Sequence, residues 1–120
     1  MNLNLLANFN NSDNLAAIYT KLPFNSTEKY KAHFESCKNC LNYHHFKLFK
    51  IYNDDSITEN ISIYCRPEFS KLINDAKANK FTTIIVPSID KLTRTYKEYL
   101  NLKSLLKELN LKLIVANIPF

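Results

Sequence analysis

One run of residues constrains the fold more than any other. From Arg66 to Arg94 the chain reads as a helix that passes directly into an apolar strand and then into a charged turn. Pro67 suits the first helical position, Glu68 stands at the positive end of the helix dipole, and Phe69, Leu72, Ile73 and Ala76 recur at helical spacing. Asn79 can take the left-handed backbone that stops the helix. Phe81 to Val86 is then β-branched or aromatic throughout. Such a run suits a central parallel strand with helices over both of its faces. At its carboxyl end stand Ser88, Asp90, Lys91 and Arg94, on the rim where open parallel sheets gather their sites.

The chain has no glycine among its 120 residues, which excludes whole classes of function. Glycine-rich phosphate loops, dinucleotide fingerprints and the glycine-flanked serine elbow of hydrolases all need backbone freedom that no other residue supplies. Asparagine, which tolerates left-handed backbone, is the expected substitute at helix stops. A hydrophobic share of 46% fits one globular domain, and a formal charge of +5 inclines the chain towards a polyanionic partner. Three cysteines, with no signal peptide and no hydrophobic span, point to a reducing cytoplasm and to no membrane role.

Residues 1–13 are rich in Asn and read as an N-terminal tail, with the domain running over 14–120. Leu15 to Tyr19 is the first expected strand. Asn25 and Glu28 form a capping box that opens a helix over about 26–44, and His45 to Tyr52 is the second strand. A polar loop, Asn53 to Cys65, leads to the helix and strand described above. Thr95 and Glu98 cap a last helix, in which Tyr96, Tyr99, Leu100, Leu106 and Leu109 are expected inward and Lys97, Lys103 and Lys107 outward. Asn110 stops it, and Leu111 to Val115 is the fourth strand. The alternation predicts an α/β three-layer open sheet of four mainly parallel strands in the order 2-1-3-4. That order makes strands one and three neighbours, so their carboxyl ends would gather Lys21, Pro23, Ser88, Asp90, Lys91 and Arg94 in one crevice.

Four pieces in this order carry a resemblance: Tyr19-Thr20-Lys21-Leu22-Pro23, Tyr52-Asn53-Asp54, Arg66-Pro67 and Asp90-Lys91-Leu92-Thr93-Arg94. Together they resemble the catalytic domain of serine recombinases, the resolvase and invertase group, over about Ala16 to Val115. The resemblance implies a resolvase-like, flavodoxin-like sheet and a chemistry in which a serine hydroxyl attacks a DNA phosphodiester during site-specific recombination. Cations then bind the phosphate and stabilise the charge that builds up. It implies that Lys21, Arg66, Asp90, Lys91 and Arg94 surround that phosphate, with no cofactor and no metal.

The departures from the family pattern carry as much information. Pro23 stands where the family has its nucleophilic serine, and proline has neither a hydroxyl nor a backbone donor. Lys21 and Lys91 stand where the family has arginines, keeping the charge while losing the planar fork that grips two oxygens. Thr58-Glu59 replaces a Ser-Gly pair of the loop. The chain stops at Phe120, so the long dimerisation helix and the DNA-binding domain are expected to be missing. A non-catalytic module follows from these departures, one that touches DNA weakly and pairs with an intact serine recombinase or with a second copy. The competing expectation is an active strand-exchange domain, a fragment of a longer recombinase, with Ser26 as a displaced nucleophile. Ser26 is otherwise a residue that starts a helix.

Two further constellations invite a metal. His33, Cys37, Cys40 and His44 share one helix, but at ~1.5 Å rise per residue the outer two lie roughly 16 Å apart, too far for one tetrahedral ion. They read instead as a core stripe with histidines at its border. Asp54-Asp55 has the look of an acidic pocket of the receiver-domain kind, yet such a pocket needs a carboxylate ending the third strand, where this chain has Pro87-Ser88.

Overall fold

The computed structural model describes residues 14–21, 27–54, 62–89, 92–93 and 95–116. The elements run β1 (Leu15–Thr20), α1 (Thr27–Tyr43), β2 (Lys47–Asn53), a 3-10 turn (Ile63–Cys65), α2 (Pro67–Lys77), β3 (Thr83–Val86), α3 (Tyr96–Glu108) and β4 (Lys112–Val115). The four described strands are parallel and lie in the order β2-β1-β3-β4, as the alternation predicts. The tail over 1–13 and the capping residue Asn25 lie outside the described residues.

The sheet is buried on both faces, and its central strands are apolar at nearly every position, with only Thr20 and Thr83 as small buried hydroxyl residues. Along β1, Ala16 and Ile18 point to one face and Ala17 and Tyr19 to the other, by the two-residue period of a strand. α1 covers the first face with Cys37 and Leu41, and Ile85 of β3 joins them. α2 and α3 cover the second face, where Phe69, Leu72, Ala76, Leu102 and Leu106 pack on Tyr52, Ile84 and Val86. Each fully buried Ile or Leu contributes roughly 1.5–3 kcal/mol relative to an exposed one.

Three details depart from the sequence reading. β2 starts at Lys47 rather than His45, because His45 has φ 61 and terminates α1. Within β2 the pairing slips: Ala16 opposes Leu48 while Ala17 opposes Lys50, so Phe49 is an extra residue. That bulge carries Phe49 onto Phe81, with ring centroids 5.6 Å apart. On α3, Tyr96 is 73% exposed and Leu100 45%, whereas Leu102, absent from the expected stripe, is buried. The stripe that sinks into the sheet is thus Leu102 and Leu106, and the aromatic start of the helix is left in solvent. Lys97, Lys103 and Lys107 are exposed as expected.

The three α-helices among the described residues stop in the same way. Phe46 N donates to Leu41 O and His45 N to Asn42 O; Lys80 N donates to Asp75 O and Asn79 N to Ala76 O; Leu111 N donates to Leu106 O and Asn110 N to Lys107 O. These are paired 6→1 and 5→2 bonds around one left-handed residue, the motif that glycine usually serves. Here His45, Asn79 and Asn110 serve it, with φ values of 61, 60 and 58. Among the described residues no helix is long and apolar enough to cross a membrane.

Candidate functional site

The parallel ladder brings the carboxyl ends of the strands to one rim. Thr20 at the end of β1 opposes Asn53 at the end of β2, and Ile18 opposes Ile85 in β3. Asp54 N donates to Thr20 O at 3.1 Å, and Thr20 Oγ1 lies 2.9 Å from Asn53 Oδ1, so β1 and β2 stay zipped to their ends. Against this rim stands the amino end of α2. Arg66 is its N-cap residue but lends no side-chain bond to the helix amides, and Pro67 fills the first turn. A helix begun in this way needs an acceptor from elsewhere.

Asp54 provides it from the end of β2. Its Oδ1 accepts from Glu68 N at 2.8 Å and its Oδ2 from Phe69 N at 3.1 Å. The carboxylate is 3% exposed, and its negative charge sits at the positive end of the α2 dipole. A third donor completes it, the Tyr19 hydroxyl at 2.7 Å from Oδ2. The same hydroxyl accepts from Arg66 Nη1 at 3.3 Å. Arg66 is 2% exposed, so its guanidinium is desolvated and oriented by this oxygen. Burial above all raises the Tyr19 hydroxyl well beyond its usual 10; the Arg66 hydrogen bond pulls it down and the Asp54 carboxylate pushes it up. The phenol therefore stays protonated and keeps both roles. Phe69 closes the cluster with an edge-on ring contact to Tyr19, centroids 5.5 Å apart.

The result is a buried relay, α2 amides to Asp54 to Tyr19 to Arg66, at the rim of the sheet. It holds a planar cation in one orientation, the arrangement that suits recognition of a phosphate or carboxylate. The second and third amides of α2 are already bonded to Asp54, so the helix end does not itself offer them to an anion.

Of the residues singled out from the sequence, the structure places Lys21, half-buried, at the end of β1 and Arg66 at the start of α2. Pro23, Ser26, Asp90, Lys91 and Arg94 lie outside the described residues. Tyr19 and Asp54 were visible as pieces of the motif but not as members of the site. Their signal was available: a tyrosine and an acid ending adjacent parallel strands, with an Arg-Pro helix start that has no capping side chain of its own. The acidic pair after β2 thus has a structural use for Asp54, as a helix cap. Along α1, Cys37 is buried with its thiol pushed up to about 12 by desolvation and the neighbouring Cys40. Among the described residues no group of three His, Cys, Asp or Glu is placed to hold a metal ion.

Residues 20–119 match the family described as Resolvase, N terminal domain. Among solved structures, the N-terminal catalytic domain of TP901-1 integrase superposes with a TM-score of 0.72 at 23% identity, covering 86% of this chain and 77% of that one. A resolvase family site-specific recombinase from Streptococcus pneumoniae gives 0.71 at 18% identity, covering 85% and 71%. The C-terminal catalytic domain of ISC1926 TnpA, an IS607-like serine recombinase, gives 0.69 at 19% identity, covering 86% and 70%. No curated protein matches the chain.

Proposed function

This chain belongs to the resolvase N-terminal domain family, and on that premise we propose that it is a cytoplasmic member without strand-transfer chemistry, working as an interaction module. Its partners on this reading are DNA phosphates, bound weakly through Lys21, Arg66, Lys91 and Arg94 with Asp90 among them, and an intact serine recombinase or a second copy. The observation that carries the reading is Pro23, in the position where the family pattern has its serine. A proline there supplies no oxygen to attack phosphorus and no amide to hold an oxyanion.

The relay around Arg66 supports the same conclusion from another side. Asp54 caps α2 and Tyr19 joins it to Arg66, so folding accounts for Asp54 and Tyr19, while the guanidinium they orient is the group proposed to meet a phosphate. Their presence does not require catalysis. The lysines at 21 and 91 fit a site that attracts a phosphate without clamping a transition state, since an ammonium is a point charge and not a fork.

Ser26, three residues beyond Pro23, carries the alternative of an active domain. A suicide DNA substrate that traps a phosphoserine link separates the two. The expected result is no covalent adduct on a denaturing gel; an adduct that disappears with Ser26→Ala would overturn the proposal. DNA affinity against salt tests the phosphate contacts. Each contact removed by Lys91→Ala or Arg94→Ala should reduce the salt slope by about 1. An unchanged affinity and slope would remove the crevice from consideration as a phosphate site.

A further inference from the structure

The four described strands begin at the rim opposite the Arg66 relay. Lys47 opposes Leu15, Thr82 N donates to Leu15 O and Lys112 N to Thr82 O, so these four residues form one row across the sheet. At about 4.8 Å between strands, Lys47 and Lys112 stand roughly 14 Å apart along that row. Lys80 enters between them, two residues ahead of Thr82.

All three lysines are exposed, as are Lys77 and Lys107, in the last turns of α2 and α3, which end at the same rim. The acids beside them among the described residues are Glu108 and Asp75, whose carboxylate accepts from the Tyr52 hydroxyl at 2.6 Å. Helix dipoles account for Lys77 and Lys107. Lys47, Lys80 and Lys112 stand past the helix ends, beyond the turn over which a dipole acts. α1 also ends here, on Tyr43, whose ring is 79% exposed. It meets His44 edge-on with centroids 5.1 Å apart, and His44 in turn lies 6.1 Å from Phe46. An exposed ring braced by its neighbour thus stands four residues before the first lysine of the row.

The two features together choose the occupant. An acidic protein surface would answer the lysines, but it has no repeated planar group to lay on Tyr43. A nucleic acid carries one charge per unit and a flat base beside it, which meets both. A duplex keeps its bases stacked on one another, so an exposed ring favours a single strand. We propose that this amino rim of the sheet binds single-stranded nucleic acid, with backbone phosphates on Lys47, Lys80 and Lys112 and a base stacked on Tyr43. None of these residues belongs to the crevice of Lys21, Arg66, Lys91 and Arg94, so the two surfaces stand or fall separately.

Fluorescence anisotropy of a labelled oligothymidylate with the full chain, repeated across salt concentrations, tests it. Losing three ammonium contacts in K47A/K80A/K112A should reduce the slope of log affinity against log salt by about 2. The charge-conserving K47R/K80R/K112R should keep the slope. Tyr43→Ala should weaken binding at least about fivefold with the slope unchanged. The proposal is overturned if the triple alanine variant keeps the full slope, or if Tyr43→Ala binds as tightly as the unaltered chain. It is overturned equally if a duplex of the same length binds tighter than the single strand, or if polyglutamate displaces the strand at a lower charge concentration than unlabelled oligothymidylate does. A slope that falls with Lys91→Ala and not with the triple variant would place the strand in the crevice at the other rim and also overturn it.

Discussion

Tyr19 has one oxygen and two obligations, donating to Asp54 and accepting from Arg66. Removing the hydroxyl in Tyr19→Phe leaves a desolvated guanidinium one partner poorer and should lower stability by about 1–2 kcal/mol. Asp54→Asn reaches further, because the carboxylate answers two helix amides as well as the phenol. It replaces charge-assisted bonds with neutral ones and turns a donor towards another donor. A loss of about 2–3 kcal/mol is expected, read from urea midpoints at constant slope. If the two variants are equal, or if either behaves like a surface substitution, the relay does not couple β1, β2 and α2 as described. The same residue pair shows why the site was only partly legible. Arg66 announced itself as a cation beside a proline, but the worth of Tyr19 and Asp54 depends on two strands lying side by side.

The three helix stops carry the clearest local chemistry in the chain. Each needs a left-handed residue, and an L-residue with a β-carbon is strained there by about 1–2 kcal/mol, less for Asn. Asn79 and Asn110 were readable because asparagine is the next choice after glycine; His45 was not, since its place in an alternating stretch looked like strand. His45→Gly should therefore stabilise the protein by about 0.5–1 kcal/mol, the relief of strain less the extra backbone entropy of glycine. Asn79→Ala should destabilise by about 1 kcal/mol. Thermal melts of both variants decide: opposite signs support the shared stop, and matching signs contradict it. The stripe on α3 failed for a different reason. Tyr96 and Leu100 share a face with each other, but at 3.6 residues per turn Leu100 lies about 160° round the helix from Leu102, so it points away when Leu102 and Leu106 meet the sheet.

At the scale of the whole molecule, the apolar faces on both sides of the sheet also bury titratable groups. Burial raises Tyr19 and Tyr52 above their usual 10, Tyr52 further through its bond to Asp75, and carries Cys37 from 9.0 to about 12. Each of these groups is neutral while protonated, so above its ordinary value the unfolded chain releases a proton that the folded chain keeps. Stability is then full below about pH 9 and falls as pH rises, through 9 to 12 for Cys37 and from 10 upwards for the tyrosines. Urea titrations across this range should show the decline, and Tyr52→Phe should flatten its upper part; a constant stability up to pH 11 would contradict the burial of these groups. The sequence by itself determined the order of elements, the parallel sheet and the places where helices stop, because periodicity, branching and stop residues act over a few neighbours. Only the tertiary structure decided that Asp54 caps a helix that begins thirteen residues later at Pro67, that Tyr19 bridges it to Arg66, and that α3 meets the sheet through Leu102 and Leu106. Those depend on which strands become neighbours and how far each helix reaches across them, and no local pattern in the chain encodes either distance.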